Sequence, residues 1–177
     1  LKYLRSLKEY KIFSGNQMVS INDLFTGIHH FKLLKGIPDE CKKLFSYLLL
    51  RKISNFLKSK ESISINPTDH EKFRILVFID EAQFLLESKA KKIVEKITAE
   101  DRKFGLSLIL ASQSIGNFDE KILKNISTKL LMFPGTQREV GKYKKIFGVS
   151  ETLFKTLNRK EGYYIFDNQY PIKRVEL

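Results

Sequence analysis

Apolar positions recur along the chain either at helical steps of three and four residues or in short unbroken runs, and the two patterns divide it into elements. Leu1, Leu4 and Leu7 stand at helical spacing among lysines and predict a helix over Leu1 to Phe13, stopped by the turn chemistry of Ser14, Gly15 and Asn16. Met18 to Ile21 alternates and predicts a short strand ended by Asn22 and Asp23. Pro38 suits the first turn of a helix, with Asp39 and Glu40 at its positive end. Leu44, Phe45, Leu48, Leu49, Ile53, Phe56 and Leu57 continue the pattern and predict the longest helix, Pro38 to Lys60.

A polar connection from Glu61 to Lys72 leads into Ile75, Leu76, Val77, Phe78 and Ile79. This unbroken run, with three β-branched residues, predicts a strand in a parallel sheet covered on both faces. Ala90, Ile93, Val94 and Ile97 mark a second helix ending near Arg102 and Lys103, with Gly105 as its break. Leu106 to Ala111 is a second buried strand, finishing in Ser112, Gln113 and Ser114. After a turn at Gly116 and Asn117, Glu120 to Ile126 reads as a short helix and Lys129 to Phe133 as a third strand, stopped by Pro134 and Gly135. Gln137 to Phe147 predicts a helix closed by Gly148, and Ser150 caps a shorter one over Glu151 to Leu157. Gly162 to Asp167 and Pro171 to Glu176 predict two strands joined around Asn168. Strand and helix alternate over Arg74 to Phe133, the order of a parallel sheet with helices on both faces.

Composition narrows the function classes. A length of 177 residues with 42% hydrophobic content supports one domain with a core. No apolar run approaches a membrane span, and Leu1 to Lys11 lacks the apolar stretch of a secretion signal, so a cytoplasmic chain is expected. Cys41 is the single cysteine and cannot form an internal disulfide. His29, His30 and His70 have no second ligand at metal spacing and read as ordinary polar residues. The net charge of +12 suits a polyanionic partner, since Lys and Arg facing phosphates release counterions. The lysines are spread over nearly every helix, however, which also describes a solvated surface.

The candidate chemistry lies where the first apolar strand ends in Asp80 and Glu81. Carboxylates at the carboxyl end of such a strand stand at the crevice where open α/β sheets bind ligands. The pattern is that of Walker B in nucleotide hydrolases, in which the first acid holds the Mg²⁺ shell and the second orients or deprotonates the attacking water.

Three segments in order carry a wider resemblance: Val77 to Gln83, then Ala99 to Gly105 (AEDRKFG), then Leu108 to Gln113. With Asp119 to Lys129 and a closing strand pair at Gly162, they resemble the later motifs of the HerA/FtsK family of DNA-translocating ATPases. The resemblance covers Arg74 to Leu177 well and Met18 to Lys60 loosely. It implies a three-layer RecA-like P-loop NTPase core, α/β, with a mainly parallel sheet, helices on both faces and a C-terminal strand pair. Residues 1–73 would be the N-terminal helical and connecting part of that core and 74–177 its Walker B-containing part. The implied ligands are ATP and Mg²⁺, with Asp80 in the metal shell, Glu81 activating water and Gln113 sensing the γ-phosphate. Arg102 resembles the family's arginine finger, which reaches the nucleotide of a neighbouring subunit. The implied partners are double-stranded DNA, a homo-oligomeric ring expected to be a hexamer, and a nuclease or membrane machine. A helix-end cation at Arg102 and a loop-capping amide at Gln113 are the plainer alternatives.

The phosphate loop G-x-x-x-x-G-K-[ST] is absent from the sequence. Gly135 to Tyr143 comes nearest, but has one residue too many between its glycines, Tyr143 in place of the metal-binding hydroxyl, and a position after Walker B. The start at Leu1 and the retained acid pair lead to the expectation of the later part of a longer ATPase, inactive in isolation. The alternatives are a non-catalytic DNA-binding or scaffold paralogue and a type IV secretion or conjugation ATPase.

Overall fold

The computed structural model describes residues 20–33, 35–63, 73–87, 90–133, 135–158, 160–166 and 169–176. The helix expected over Leu1 to Phe13 lies outside them, as do Met18, Val19 and the turn at Asn168. The chain divides into two compact units, Leu1–Ala111 and Ser112–Leu177.

In the first unit, Ser20 and Asp23 exchange side-chain-to-backbone hydrogen bonds at 2.9 and 3.2 Å and open a 3₁₀ turn, Asp23–Phe25. Ser20 and Ile21 therefore enter a turn where a strand was expected. Helix α1 spans Asp39–Lys58. Pro38 has an extended ψ of 141° and stands at the N-cap, one position before the helix it was expected to begin inside. Leu50, Ile53, Ser54 and Leu57 form the buried stripe of α1, at steps of three and four residues. Phe25 packs on Phe56 and Phe31 on Phe45, so the segment before α1 lies against its outer side.

Strands β1 (Ile75–Ile79) and β2 (Leu106–Leu110) pair in parallel, Ile75 opposite Leu106 and Ile79 opposite Leu110. Two helices lie between them in sequence, α2 (Gln83–Leu86) and α3 (Lys91–Glu100). Ile93, Val94 and Ile97 bury one face of α3, and a 3₁₀ turn over Asp101–Phe104 leads to Gly105 and β2. Gly105 has φ +86°, and a Cβ there would meet Ile63 Cδ1 at 2.5 Å and the Arg74 backbone nitrogen at 3.0 Å. No larger residue fits this junction without displacing the start of β1.

The expected burial of β1 on both faces is corrected. Ile75, Val77 and Ile79 are half-buried, whereas Leu76 and Phe78 are exposed, as is Ile109 opposite Phe78. Among the described residues the helices cover one face of this strand pair and leave the other open.

The second unit contains α4 (Glu120–Asn125), β3 (Thr128–Met132), α5 (Gln137–Phe147), α6 (Glu151–Lys155), β4 (Glu161–Phe166) and β5 (Gln169–Glu176). Strand β3 was expected in the parallel sheet, but it pairs antiparallel with β4, which pairs antiparallel with β5. Its burial alternates, as in a strand packed on one side only. Thr136 and Ser150 cap α5 and α6, and Gly148 closes α5 at φ +66°. Leu131, Val140, Val149, Phe154, Leu157, Tyr163 and Ile165 form the core between these helices and the sheet. Phe154 meets Tyr163 edge-on, with ring centroids 5.5 Å apart. At Gly162 a Cβ would lie 2.9 Å from the Leu131 carbonyl, so glycine permits the close approach of β4 to β3. The described residues are thus α/β, with a parallel pair in one unit and an antiparallel sheet in the other. No described helix is long and apolar enough to cross a membrane.

Candidate functional site

Asp80 and Glu81 follow the last residue of β1 and are both exposed. Asp80 Oδ1 accepts a hydrogen bond from the Glu81 backbone N–H at 2.9 Å. Glu81 has φ +49°, and among the described residues it is the one non-glycine residue with positive φ. A left-handed backbone at a residue bearing Cβ costs about 1–2 kcal/mol, so it persists only where the surroundings enforce it. Both sides of the turn are held. The Ala111 N–H donates to the Ile79 carbonyl at 2.9 Å, and the Ala82 N–H donates to the Ala111 carbonyl at 2.8 Å. Ala82, Leu85 and Leu86 are then buried as α2 begins. The result is a fixed bend that presents two adjacent carboxylates to solvent at the carboxyl end of β1.

Arg102 lies at the other end of the same strand pair, exposed in the 3₁₀ turn that precedes β2. Five-residue strands span roughly 16 Å, so the structure does not bring Arg102 to the acid pair of its own chain. The neighbouring Asp101 is fully buried. Lys58, in the last turn of α1, reaches Asp101 Oδ1 at 2.7 Å and Glu100 at 3.1 Å. Asp101 Oδ2 is buried without a hydrogen-bond partner. Burial opposes the charge on Lys58, but Asp101 and Glu100 outweigh it and hold the ammonium above its ordinary pKa. This pair fixes the turn that carries Arg102. Lys58 and Asp101 were missed from sequence, although Asp101 continues the buried Ile93 and Ile97 series at four-residue steps.

Gln113 is exposed and belongs to the second unit. Its two neighbours are tied down. Ser112 Oγ donates to the Ser114 carbonyl at 3.2 Å and accepts from Asn117 Nδ2 at 3.2 Å. Ser114 Oγ donates to the Glu139 carboxylate, 3.0 and 3.1 Å from its two oxygens, and accepts from Lys142 Nζ at 2.9 Å. Lys142 also pairs with Glu139. Burial works against ionisation of Glu139, but hydrogen bonds from Lys142 and Ser114 hold its pKa below the ordinary carboxylate value. Gly141 and Lys142 lie inside α5, so the segment set aside as a phosphate loop is helical from Gln137 onward.

No family model matches the chain. It is similar to the DNA double-strand break repair helicase HerA of Sulfolobus acidocaldarius, 34% identical over 84 residues, which is 45% of this chain and 17% of the relative. The resemblance to HerA/FtsK-type ATPases is borne out. The chain spans less than a fifth of the length of the curated HerA relatives it matches. Among solved structures it is similar to the genome packaging NTPase B204 of Sulfolobus turreted icosahedral virus 2 in complex with ATPγS. That match has TM-score 0.63 and 17% identity, over 97% of this chain and 86% of B204. VirB4 of Thermoanaerobacter pseudethanolicus matches with TM-score 0.56 and 19% identity, over 81% of this chain and 38% of VirB4. At these identities the likeness shows a shared fold alone.

Proposed function

We propose that the chain forms part of an ATP-driven, DNA-translocating motor of the HerA/FtsK type, built on a three-layer RecA-like core and acting as a hexameric ring on double-stranded DNA. The observation that carries this reading is the acid pair at the end of β1, with Glu81 held in a left-handed backbone. Stored strain of this kind concentrates at functional sites. The HerA relatives and the net charge of +12 support DNA as the polymer.

Mg²⁺ takes one or two carboxylates and completes its octahedron with water and phosphate oxygens. Asp80 and Glu81, both exposed residues at the end of β1, suit that role. Bound with ATP, the cation supplies charge neutralisation at the phosphates. With the cation bound, Asp80 would hold its water shell, and Glu81 would orient the attacking water and accept its proton. Gln113 would sense the γ-phosphate. Arg102 stabilises transition-state charge at a neighbouring subunit's site, the arrangement favoured by its place at the opposite end of the β1–β2 pair. The phosphate-loop motif is absent from the 177 residues, so hydrolysis on this reading requires a loop supplied by another segment of the motor.

The test is ATP turnover by the full-length protein with and without duplex DNA. Stimulation by DNA is expected. Turnover indifferent to DNA would favour a type IV secretion or conjugation ATPase, which shares the fold. Salt-sensitive DNA binding with no turnover would favour a non-catalytic DNA-binding or scaffold chain, the reading supported by the missing phosphate loop.

A further inference from the structure

Glu139 and Lys142 stand one helical step apart in α5, and both reach out of the helix to Ser114, the residue after Gln113. We propose that Glu139 and Lys142 are positioning residues for Gln113, clamping the loop over Ser112 to Asn117 so that the amide of Gln113 is held at a fixed height. The proposal rests on the role assigned above to Gln113.

The clamp has two tiers. In the lower tier Ser112 Oγ ties its own loop together, accepting from the Ser114 backbone N–H at 3.4 Å and from Asn117 Nδ2, while donating to the Ser114 carbonyl. In the upper tier Ser114 Oγ spends its single proton on Glu139 and uses its lone pairs to accept from Lys142 and from the Gly116 N–H at 3.3 Å. A serine hydroxyl has one donor and two acceptor sites, so Ser114 is saturated. Its charged partners neutralise each other, which makes the bonds charge-assisted without leaving an unpaired ion in a half-buried place. The Lys142 side chain also lies across Gly116, where a Cβ would stand 2.9 Å from Nζ, 3.1 Å from Cε and 3.2 Å from Cδ. Glycine at that position leaves the path open.

Gln113 is therefore the exposed residue between two immobilised serines, on a loop fastened to a helix whose Val140 is buried in the core of the unit. A group that must meet a phosphate within a few tenths of an ångström benefits from such support, since a displacement of about 1 Å can lower turnover about a hundredfold. The network also gives the lysine at Lys142 a purpose that its false phosphate-loop context concealed.

The experiment measures ATP turnover and amide hydrogen exchange in the full-length protein carrying Lys142→Met, Glu139→Gln, Lys142→Arg or Gln113→Ala, alone and with Lys142→Met combined with Gln113→Ala. Lys142→Met and Glu139→Gln should each lower kcat about tenfold or more with KM for ATP unchanged. Each should speed exchange over Ser112 to Asn117 while β4 stays protected. Lys142→Arg should retain most of kcat. In the Gln113→Ala background, Lys142→Met should remove nothing further, because it acts only through that side chain. Losses that multiply in the double variant, or a Lys142→Met protein with unchanged kcat, would overturn the proposal. A Gln113→Ala protein with unchanged kcat would overturn the role of Gln113 and the proposal with it, and its own measurement tells that failure from a failure of the clamp.

Discussion

Lys58 Nζ lies 2.7 Å from Oδ1 of Asp101, a carboxylate with no exposed surface, and so joins the end of α1 to the turn that presents Arg102. Removing one partner of a buried pair leaves the other charge without compensation. Lys58→Met should therefore destabilise the protein by about 3 kcal/mol, read as a lower urea midpoint at unchanged slope. The pH dependence has a definite sign. The folded pKa of Lys58 is raised above its ordinary 10.5. The pair's stabilisation is therefore fully present below 10.5 and is lost as pH rises through the higher folded value. The midpoint of Lys58→Met should lack that alkaline decline.

Glu139 behaves in the opposite sense. Its folded pKa is depressed below the ordinary 4.5, so its contribution is present above 4.5 and is lost as pH falls through the lower folded value. Thermal melting between about pH 5 and about pH 3 should show a steeper acid loss for the parent protein than for Glu139→Gln. Equal slopes would mean that the carboxylate is not engaged as described.

Much of the fold was legible because its signals are local. The extent of α1, the unbroken runs of β1 and β2, the Gly148 stop and the Ser150 cap each depend on a few adjacent residues, and each appears within a residue or two of its expected place, although the buried stripe of α1 runs through Leu50 and Ser54 and leaves Leu48 exposed. What escaped depends on partners distant in sequence. An apolar run such as Ile75 to Ile79 does not say how many of its faces are covered, and Phe78 proved exposed. The partner of β3 is set by β4, some thirty residues later, which no pattern within Thr128 to Met132 announces. Asp80 and Glu81 were legible as a pair at a strand end, whereas the left-handed backbone of Glu81 was not. The Ser114, Glu139 and Lys142 network joins residues that are unremarkable one at a time.

Arg102 occupies the end of the β1–β2 pair opposite the acids, which leads to a mixing prediction. In the full-length protein, Arg102→Ala should lower ATP turnover about a thousandfold or more, as loss of an arginine finger does. Mixed with Glu81→Gln subunits, which retain Arg102, it should regain part of the activity, because an intact site next to such a subunit then receives its arginine from that neighbour. Turnover that stays at the sum of the two inactive proteins at every mixing ratio would place Arg102 outside the site.

The central claim is that Asp80 and Glu81 are hydrolytic carboxylates, and Glu81→Gln in the full-length protein tests it most directly. The substitution keeps the size and the hydrogen-bonding shape of the side chain and removes its basicity. ATP binding should remain, measured by titration with a fluorescent ATP analogue, while turnover falls about a hundredfold or more. Turnover equal to that of the parent protein, with binding intact, would contradict the assignment.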